Sequence, residues 1–216
     1  MKINLKKTLL VGVAALLCAT SMASCGEVNL ESGKNGLYDK KNDISYSHAS
    51  PVYEAISLIK EYGKLTVTDS ESYALYTIPG MDPTEMLATE DFNIVYASDI
   101  DMPTLIEMAP TVLRVCRDSI EVNRMEDAVA VAALVDEYTN GISIAYPGTT
   151  PQNSYKARFE SVEFPGFYYT LTYVEYAEDL VIESQNYGRF FLYNAFDQRF
   201  VPVGSHIHEA LAQNQN

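Results

Sequence analysis

Two of the three histidines of this 216-residue chain stand close together near its carboxyl end. The segment GSHIHEALA holds His206, His208 and Glu209. Imidazole and carboxylate groups bind zinc and carry protons, so the cluster is a weak candidate for a metal or acid–base centre. On a strand the two histidines would point the same way, whereas on a helix they would not share a face. Ser205 is a good N-cap for a terminal helix, and we favour that interpretation.

Other catalytic patterns are missing from the sequence. There is no G-x-S-x-G, no phosphate-binding glycine loop, no H-E-x-x-H and no C-x-x-C pair. Cys116 lies in the apolar stretch VLRVCR, so we expect a buried thiol and not a nucleophile. The sequence therefore predicts no catalytic residues, no bound metal and no cofactor.

The amino terminus has the layout of an export signal. Three lysines and no acid occur in the first nine residues, and residues 9–19 are all apolar or small. A membrane-spanning helix needs about 20 apolar residues, so this run is too short for one. We predict that residues 1–24 are a signal peptide.

The segment Met22-Ala23-Ser24-Cys25 follows the apolar run. It resembles the lipobox of bacterial lipoproteins, in which small residues precede a cysteine that is acylated. The resemblance implies that Cys25 carries acyl chains such as palmitate, becomes the mature amino terminus and anchors the chain to a bacterial cell membrane, facing outside the cytoplasm. Ordinary secretion by cleavage after Ala23 is the alternative. Cys25 would then keep a thiol that could pair with Cys116.

The predicted exported part is strongly acidic. It contains 12 Lys and Arg against 29 Asp and Glu, a net charge of −17. Such a surface repels phosphates, which excludes nucleic acid as a partner. The charge is uneven, because nine acids and no base occur between Lys64 and Arg114. We assign residues 25–36 to the lipidated cysteine and a flexible tether, and residues 37–216 to a single α+β domain.

The rest of the chain alternates strand-like runs with turn signals. Closely spaced strands after about residue 155 predict an antiparallel meander. The segment NRMEDAVAVAALVDEYTNG predicts one long apolar helix over about 123–139, with Asn123 as its cap and Asn140-Gly141 as a left-handed exit. The predicted fold is therefore α+β, a mostly antiparallel sheet with this helix packed on it.

Tyrosine is the notable residue type, with sixteen copies and no tryptophan in the chain. Its flat ring and polar tip suit the recognition of sugars, peptides or proteins, although tyrosine is also simply a good strand residue. The absence of tryptophan disfavours a typical sugar-stacking platform. Alternation along FYYTLTYVEY places Tyr168, Thr170, Thr172 and Tyr176 on one semi-polar face. Tyr168 and Tyr176 are the speculative ligand-binding residues.

Together these patterns predict an envelope-anchored lipoprotein whose domain binds or scaffolds an unknown envelope protein or extracellular ligand without catalysis. The alternative from another class is an envelope hydrolase with a metal or acid–base centre near His206 and His208.

Overall fold

Strands are the main regular structure of the folded chain. The computed structural model describes residues 28–33, 36–39, 42–68 and 71–213, and within them the chain forms sixteen strands and two helices. Cys25 and the predicted signal peptide lie outside these residues. Most strands belong to one of two sheets that follow each other along the chain.

The first sheet closes on itself. Its seven strands run in the order β1-β2-β3-β8-β7-β6-β5, and the parallel pairing of β1 with β5 completes the ring, while all other neighbours are antiparallel. The strands are β1 (Val28–Gly33), β2 (Gly36–Asp39), β3 (Ile44–His48), β5 (Glu61–Thr68), β6 (Glu71–Thr77), β7 (Met86–Thr89) and β8 (Ile94–Ala97). Strand β1 thus occupies positions within the segment that the sequence assigned to a tether.

Apolar side chains fill the inside of this closed sheet. The buried set comprises Leu37, Tyr46, Leu75, Leu87 and Val95. Each comes from a different strand. Side chains alternate between the two faces of a strand, and these five lie on the inward face. The short runs of Val, Ile, Tyr and Leu that mark these strands in the sequence therefore supply one inner residue apiece.

The second sheet is antiparallel and open, with the strand order β10-β9-β11-β12-β15-β16. Its strands are β9 (Val112–Arg117), β10 (Ile120–Met125), β11 (Asn153–Glu160), β12 (Phe167–Glu175), β15 (Phe190–Asn194) and β16 (Arg199–Pro202). A small separate hairpin, β13 (Val181–Ile182) with β14 (Gln185–Asn186), lies between β12 and β15 in the chain.

A three-residue strand joins the two sheets. Strand β4 (Tyr53–Ala55) pairs with the first part of β12, and Thr172–Glu175 of β12 pair with β15. An apolar cluster fills the junction, with Ile78, Met86 and Ile94 from the closed-sheet side and Phe167 from β12. Strand β12 therefore holds both β4 and β15, one after the other along its length.

Two helices cover one face of the second sheet. Helix α1 (Ala128–Asn140) and helix α2 (His206–Gln213) pack on the largest apolar cluster, which includes Val131, Leu134, Phe159, Tyr173 and Ile207. Neither helix in the described part of the chain has the length and apolar character that a membrane span requires.

The α+β prediction was wrong. The described chain is predominantly antiparallel β-sheet with two short helices, and it contains no long apolar helix over 123–139. Residues 123–125 belong to β10, where Asn123 pairs with Val115. Helix α1 begins only at Ala128, and its cap is Asp127, whose carboxylate accepts from the amides of Val129 and Ala130 at 3.0 and 3.3 Å.

The helix also differs from the prediction at its surface and its end. Val129 is 80 % exposed and Ala132 is exposed, so α1 is buried along one stripe only. Gly141 follows the helix with φ −67° and ψ 152°, an extended and not a left-handed conformation. A Cβ at this position would clash with the Glu137 carbonyl and with Val201. Glycine is needed here for close packing.

An arginine from β16 completes the end of α1. One Nη of Arg199 donates to the main-chain carbonyls of Tyr138, Thr139 and Gly141 at 2.9, 2.8 and 3.2 Å. The last carbonyls of a helix lack partners within the helix, so this cation satisfies groups that would otherwise be orphaned. The contact also ties α1 to the edge of the sheet.

We expect Arg199→Ala to lower the free energy of unfolding by about 2 kcal/mol, because several part-buried carbonyls lose a charged donor. The matched control is Arg124→Ala, which removes a 41 % exposed arginine paired with Glu126 and should cost less than about 0.5 kcal/mol. Urea unfolding followed by circular dichroism measures both. Equal losses in the two variants would contradict the capping role.

Candidate functional site

The face of the second sheet opposite the helices carries a row of arginines. Three arginines lie directly opposite one another on adjacent strands: Arg124 pairs with Arg114, and Arg114 pairs with Arg158. We call these three residues the arginine row. Like charges at paired positions destabilise a sheet unless other groups neutralise them.

Carboxylates from three different segments neutralise two of these arginines. Arg158 donates to Glu54 of β4, with Nε at 3.1 Å from the carboxylate. Arg114 donates to Glu160 at 2.7 Å and to Glu121 at 2.8 Å. The hydrogen bond to Glu160 is the main reason that the pKa of Arg114 is raised. Burial is the largest single influence on the pKa of Arg158 and acts to lower it, but the hydrogen bond and charge of Glu54 together with the contact to Cys116 raise the pKa overall.

Tyr168 lies beneath this network. The guanidinium carbons of Arg158 and Arg114 are 5.5 and 5.9 Å from its ring centroid, within reach of a cation–π interaction. Tyr168 is only 8 % exposed, and burial raises its pKa. Tyr176 is 4 % exposed and packs edge-on against Phe191. Both rings lie on the predicted face, yet neither presents a surface to a ligand.

A cleft opens beside the network, in the gap between β4 and β15. It has a volume of about 260 Å³. We call it the junction cleft. Its walls come from both sheets: Pro51, Val52, Tyr53 and Glu54; Asp91 and Asn93; Lys156; Thr170, Leu171 and Thr172; and Tyr193, Asn194, Ala195 and Phe196. Ligand sites often lie at such junctions between structural units.

Main-chain and side-chain hydrogen bonds hold the walls in place. The amide of Thr170 donates to the Val52 carbonyl at 2.6 Å, and the amide of Ala55 donates to the Phe92 carbonyl at 3.0 Å. The Asn194 side chain accepts from the Phe196 amide at 3.0 Å, which shapes the turn after β15. These contacts shape the cleft before any ligand arrives.

Several polar groups in the cleft have no internal partner. Within the described residues, the side chains of Asp91, Asn93 and Thr172 make no hydrogen bond, whereas Glu54 is fully engaged. The Lys156 ammonium is 51 % exposed and lies 3.7 Å from Glu54. The cleft therefore offers a carboxylate, an amide, a hydroxyl and an ammonium group to a ligand.

Aromatic rings border the same cleft. Phe196 is 65 % exposed, and Tyr193 is partly exposed and stands 5.1 Å, ring to ring, from the exposed Tyr146. Tyr53 is held at its hydroxyl, which donates to the Pro103 carbonyl at 2.8 Å, and burial raises its pKa to about 12. The tyrosine hydroxyl consequently stays protonated at any physiological pH.

Two other hollows in the described chain lack this combination. A hollow of about 580 Å³ is lined by Asp43, Glu85 and Asp99 and by no aromatic ring. A groove of about 400 Å³ between residues 106–111 and helix α1 is almost entirely apolar. The junction cleft joins aromatic surface with polar groups of both charge signs, and such polar groups can fix the orientation of a ligand.

The predicted histidine cluster is divided between two different carboxylates. Both histidines lie on α2, and Ser205 precedes it. His206 is 3.8 Å from Glu137, whereas Nδ1 of His208 is 3.1 Å from Glu175. Glu175 is 5 % exposed and also accepts from the hydroxyl of Tyr173 at 3.0 Å. The ring of His208 stacks on Phe190 at 5.0 Å, so this histidine fastens α2 to the sheet.

No group of three or more His, Cys, Asp or Glu side chains in the described residues is arranged to hold a metal ion. Cys116 is 2 % exposed, with its sulfur 3.7 Å from a nitrogen of Arg158. It is a buried side chain on the same face as the arginine row.

Most residues of the cleft have no sequence pattern that marks them as part of a site. The alternation along β12 placed Thr170 and Thr172 on a semi-polar face, and both line the cleft. Glu54 and Asn93 are more than 75 residues away in the chain, and nothing in their own segments signals a site. Only the pairing of β4 with β12 brings them there.

We expect Glu54→Gln to lower the free energy of unfolding by about 2 to 3 kcal/mol, because it leaves the mostly buried Arg158 without a counter-charge. The matched control is Glu121→Gln, which should cost less than about 1 kcal/mol because Arg114 keeps Glu160. Chemical denaturation of both variants is the measurement. A loss for Glu54→Gln no larger than that for Glu121→Gln would show that the junction does not depend on this ion pair.

Compared with known proteins, the chain matches no family model, no curated protein and no solved structure.

Proposed function

We propose that this chain is an exported bacterial lipoprotein, anchored to the cell membrane through Cys25, whose folded part binds a ligand in the junction cleft without transforming it. The signal-like residues 1–24 and the lipobox-like Met22-Ala23-Ser24-Cys25 support the anchor. The junction cleft is the observation that carries the binding role.

The cleft suits binding for three reasons. It is shaped in advance by hydrogen bonds within the protein, it has polar groups without internal partners, and it has exposed ring surface at its mouth. Preformed walls lower the entropic cost of binding, and unpartnered polar groups give orientation. The Glu54 carboxylate is occupied by Arg158 and Thr170, so it is not available as a general base. The cleft therefore favours recognition over acid–base chemistry.

The start of strand β1 sets the distance between the proposed anchor and the folded part. It begins at Val28, three positions after Cys25. With acyl chains on Cys25, only two residues would separate the lipid from the first strand. The closed sheet would then lie near the headgroups.

The anchor is tested by metabolic labelling with palmitate. We expect the full chain to incorporate the label and to partition into detergent, and Cys25→Ser to lose both properties because the lipobox-like segment then lacks the thiol to be acylated. The control is Cys116→Ser, which should keep the label and the partitioning. An unlabelled protein with a mature amino terminus at Ser24 would contradict the anchor and support ordinary secretion.

The binding role is tested by hydrogen exchange of the mature protein in detergent, with and without the low-molecular-mass fraction of the cell envelope. A ligand that bridges the two walls should slow exchange in residues 51–55, 90–94, 170–173 and 193–196. Thr172→Val should reduce this protection, since it removes a hydroxyl with little change in shape. Thr111→Val, outside the cleft, should not. Unchanged exchange in these four segments, or protection elsewhere, would refute the cleft as the binding site.

A further inference from the structure

The ligand class can be narrowed from the charge around the junction cleft. Asp91 contributes a negative charge, and the single nearby base that is exposed, Lys156, already faces Glu54. Arg158 also pairs with Glu54, so the two acids, Glu54 and Asp91, stand against two bases. The local charges nearly balance, which favours a neutral molecule over an anion or a cation.

The strand geometry argues against an extended peptide. A peptide that adds to a sheet needs a run of free strand edge. Here β4 occupies Phe167–Tyr169 and β15 occupies Thr172–Glu175, so only residues 170 and 171 lie in the gap. The amide of Thr170 already donates to Val52. Recognition in the cleft must therefore come from side chains.

The side chains present are those that bind hydroxyl groups and C–H faces. The Asp91 carboxylate accepts hydrogen bonds, the Asn93 amide and the Thr172 hydroxyl both donate and accept, and the Lys156 ammonium donates. Phe196 offers an exposed apolar ring face beside them, and Tyr193 adds a second ring. A pyranose ring is complementary to these side chains, because it has hydroxyls around its rim and an apolar C–H face.

The aromatic surface extends past the cleft. Tyr146 is 45 % exposed and its ring centroid is 5.1 Å from that of Tyr193, so ring surface continues from the cleft onto the loop after α1. A ligand longer than one sugar unit could follow it. The chain has no tryptophan, so phenylalanine and tyrosine supply the flat ring surface here.

We propose that the junction cleft binds a neutral oligosaccharide, with one pyranose unit stacked on Phe196 and its hydroxyls bonded to Asp91, Asn93 and Thr172. This inference rests on the proposed binding function of the same cleft and adds the class of ligand.

The experiment is isothermal titration of the mature full-length protein in detergent with a panel of neutral oligosaccharides: maltose, cellulose, mannan, galactan and chitin fragments of two to six units. At least one series should bind saturably at one site. Phe196→Ala should weaken that binding by about tenfold or more, and Phe196→Tyr, which keeps a ring, by less than about threefold. The matched control is Ile120→Ala, a 71 % exposed side chain on the opposite edge strand β10, which should bind as the wild type does.

The outcomes separate this inference from the proposed function. No binding of any series, or binding that Phe196→Ala leaves unchanged, overturns the oligosaccharide class. If the envelope fraction still protects the cleft from hydrogen exchange in that case, the binding function stands and only the class is wrong. Cleavage of a bound oligosaccharide, seen as smaller products by mass spectrometry, overturns the non-catalytic function and supports the ligand class. Unchanged thermal unfolding of both Phe196 variants shows that the losses are local.

Discussion

The pairing of β4 with β12 is the contact on which the arrangement of the molecule depends. Three residues, Tyr53–Ala55, connect the closed sheet to the open one through this pairing. Their central residue, Glu54, faces the arginine row, while Tyr53 and Ala55 belong to the apolar junction cluster. One short strand thus combines backbone pairing, charge neutralisation and apolar burial. Because β15 pairs with β12 only from Thr172 onward, the same pairing leaves the gap that becomes the cleft.

Charge explains why this junction is specific. The chain has only 15 Lys and Arg against 29 Asp and Glu, yet three arginines lie side by side on adjacent strands. Unpaired, they would repel one another across the sheet. Glu54 is the one partner of Arg158 that comes from the other side of the junction, whereas Glu160 and Glu121 come from β11 and β10. A misplaced closed sheet would therefore leave Arg158 mostly buried and unpaired, which is strongly unfavourable.

The sequence predicted individual strands better than it predicted the fold. The alternation in FYYTLTYVEY matches β12, whose odd-numbered Leu171 and Tyr173 face the helices. The helix was placed too early because Asn123 and Glu126 imitate a capping box. Asn123 belongs to a hairpin and not to the helix. Asp118 and Ser119 both have positive φ and form its two-residue turn, after which β10 pairs with β9, and Asn123 takes part in this pairing. Aspartate is common in such turns, but it is usually followed by glycine, and here serine follows it.

The site could be predicted only where it is local in sequence. Strand alternation alone predicts that Thr170 and Thr172 share a face. No nearby sequence pattern predicts that the two histidines pair with separate carboxylates. The cleft gathers residues from five distant segments, and its composition depends on long-range pairings that no short motif encodes. Tyrosine content pointed to recognition, but the two tyrosines singled out are buried, and the exposed ring at the cleft belongs to Phe196.

The most direct measurement is a crystal structure of the protein grown with a saturating neutral oligosaccharide. The account predicts a sugar ring in the gap between β4 and β15, stacked on Phe196 with its hydroxyls near Thr172 and Asn93. Sugar density at another place on the molecule, with the gap between the two strands filled only by solvent, would contradict it.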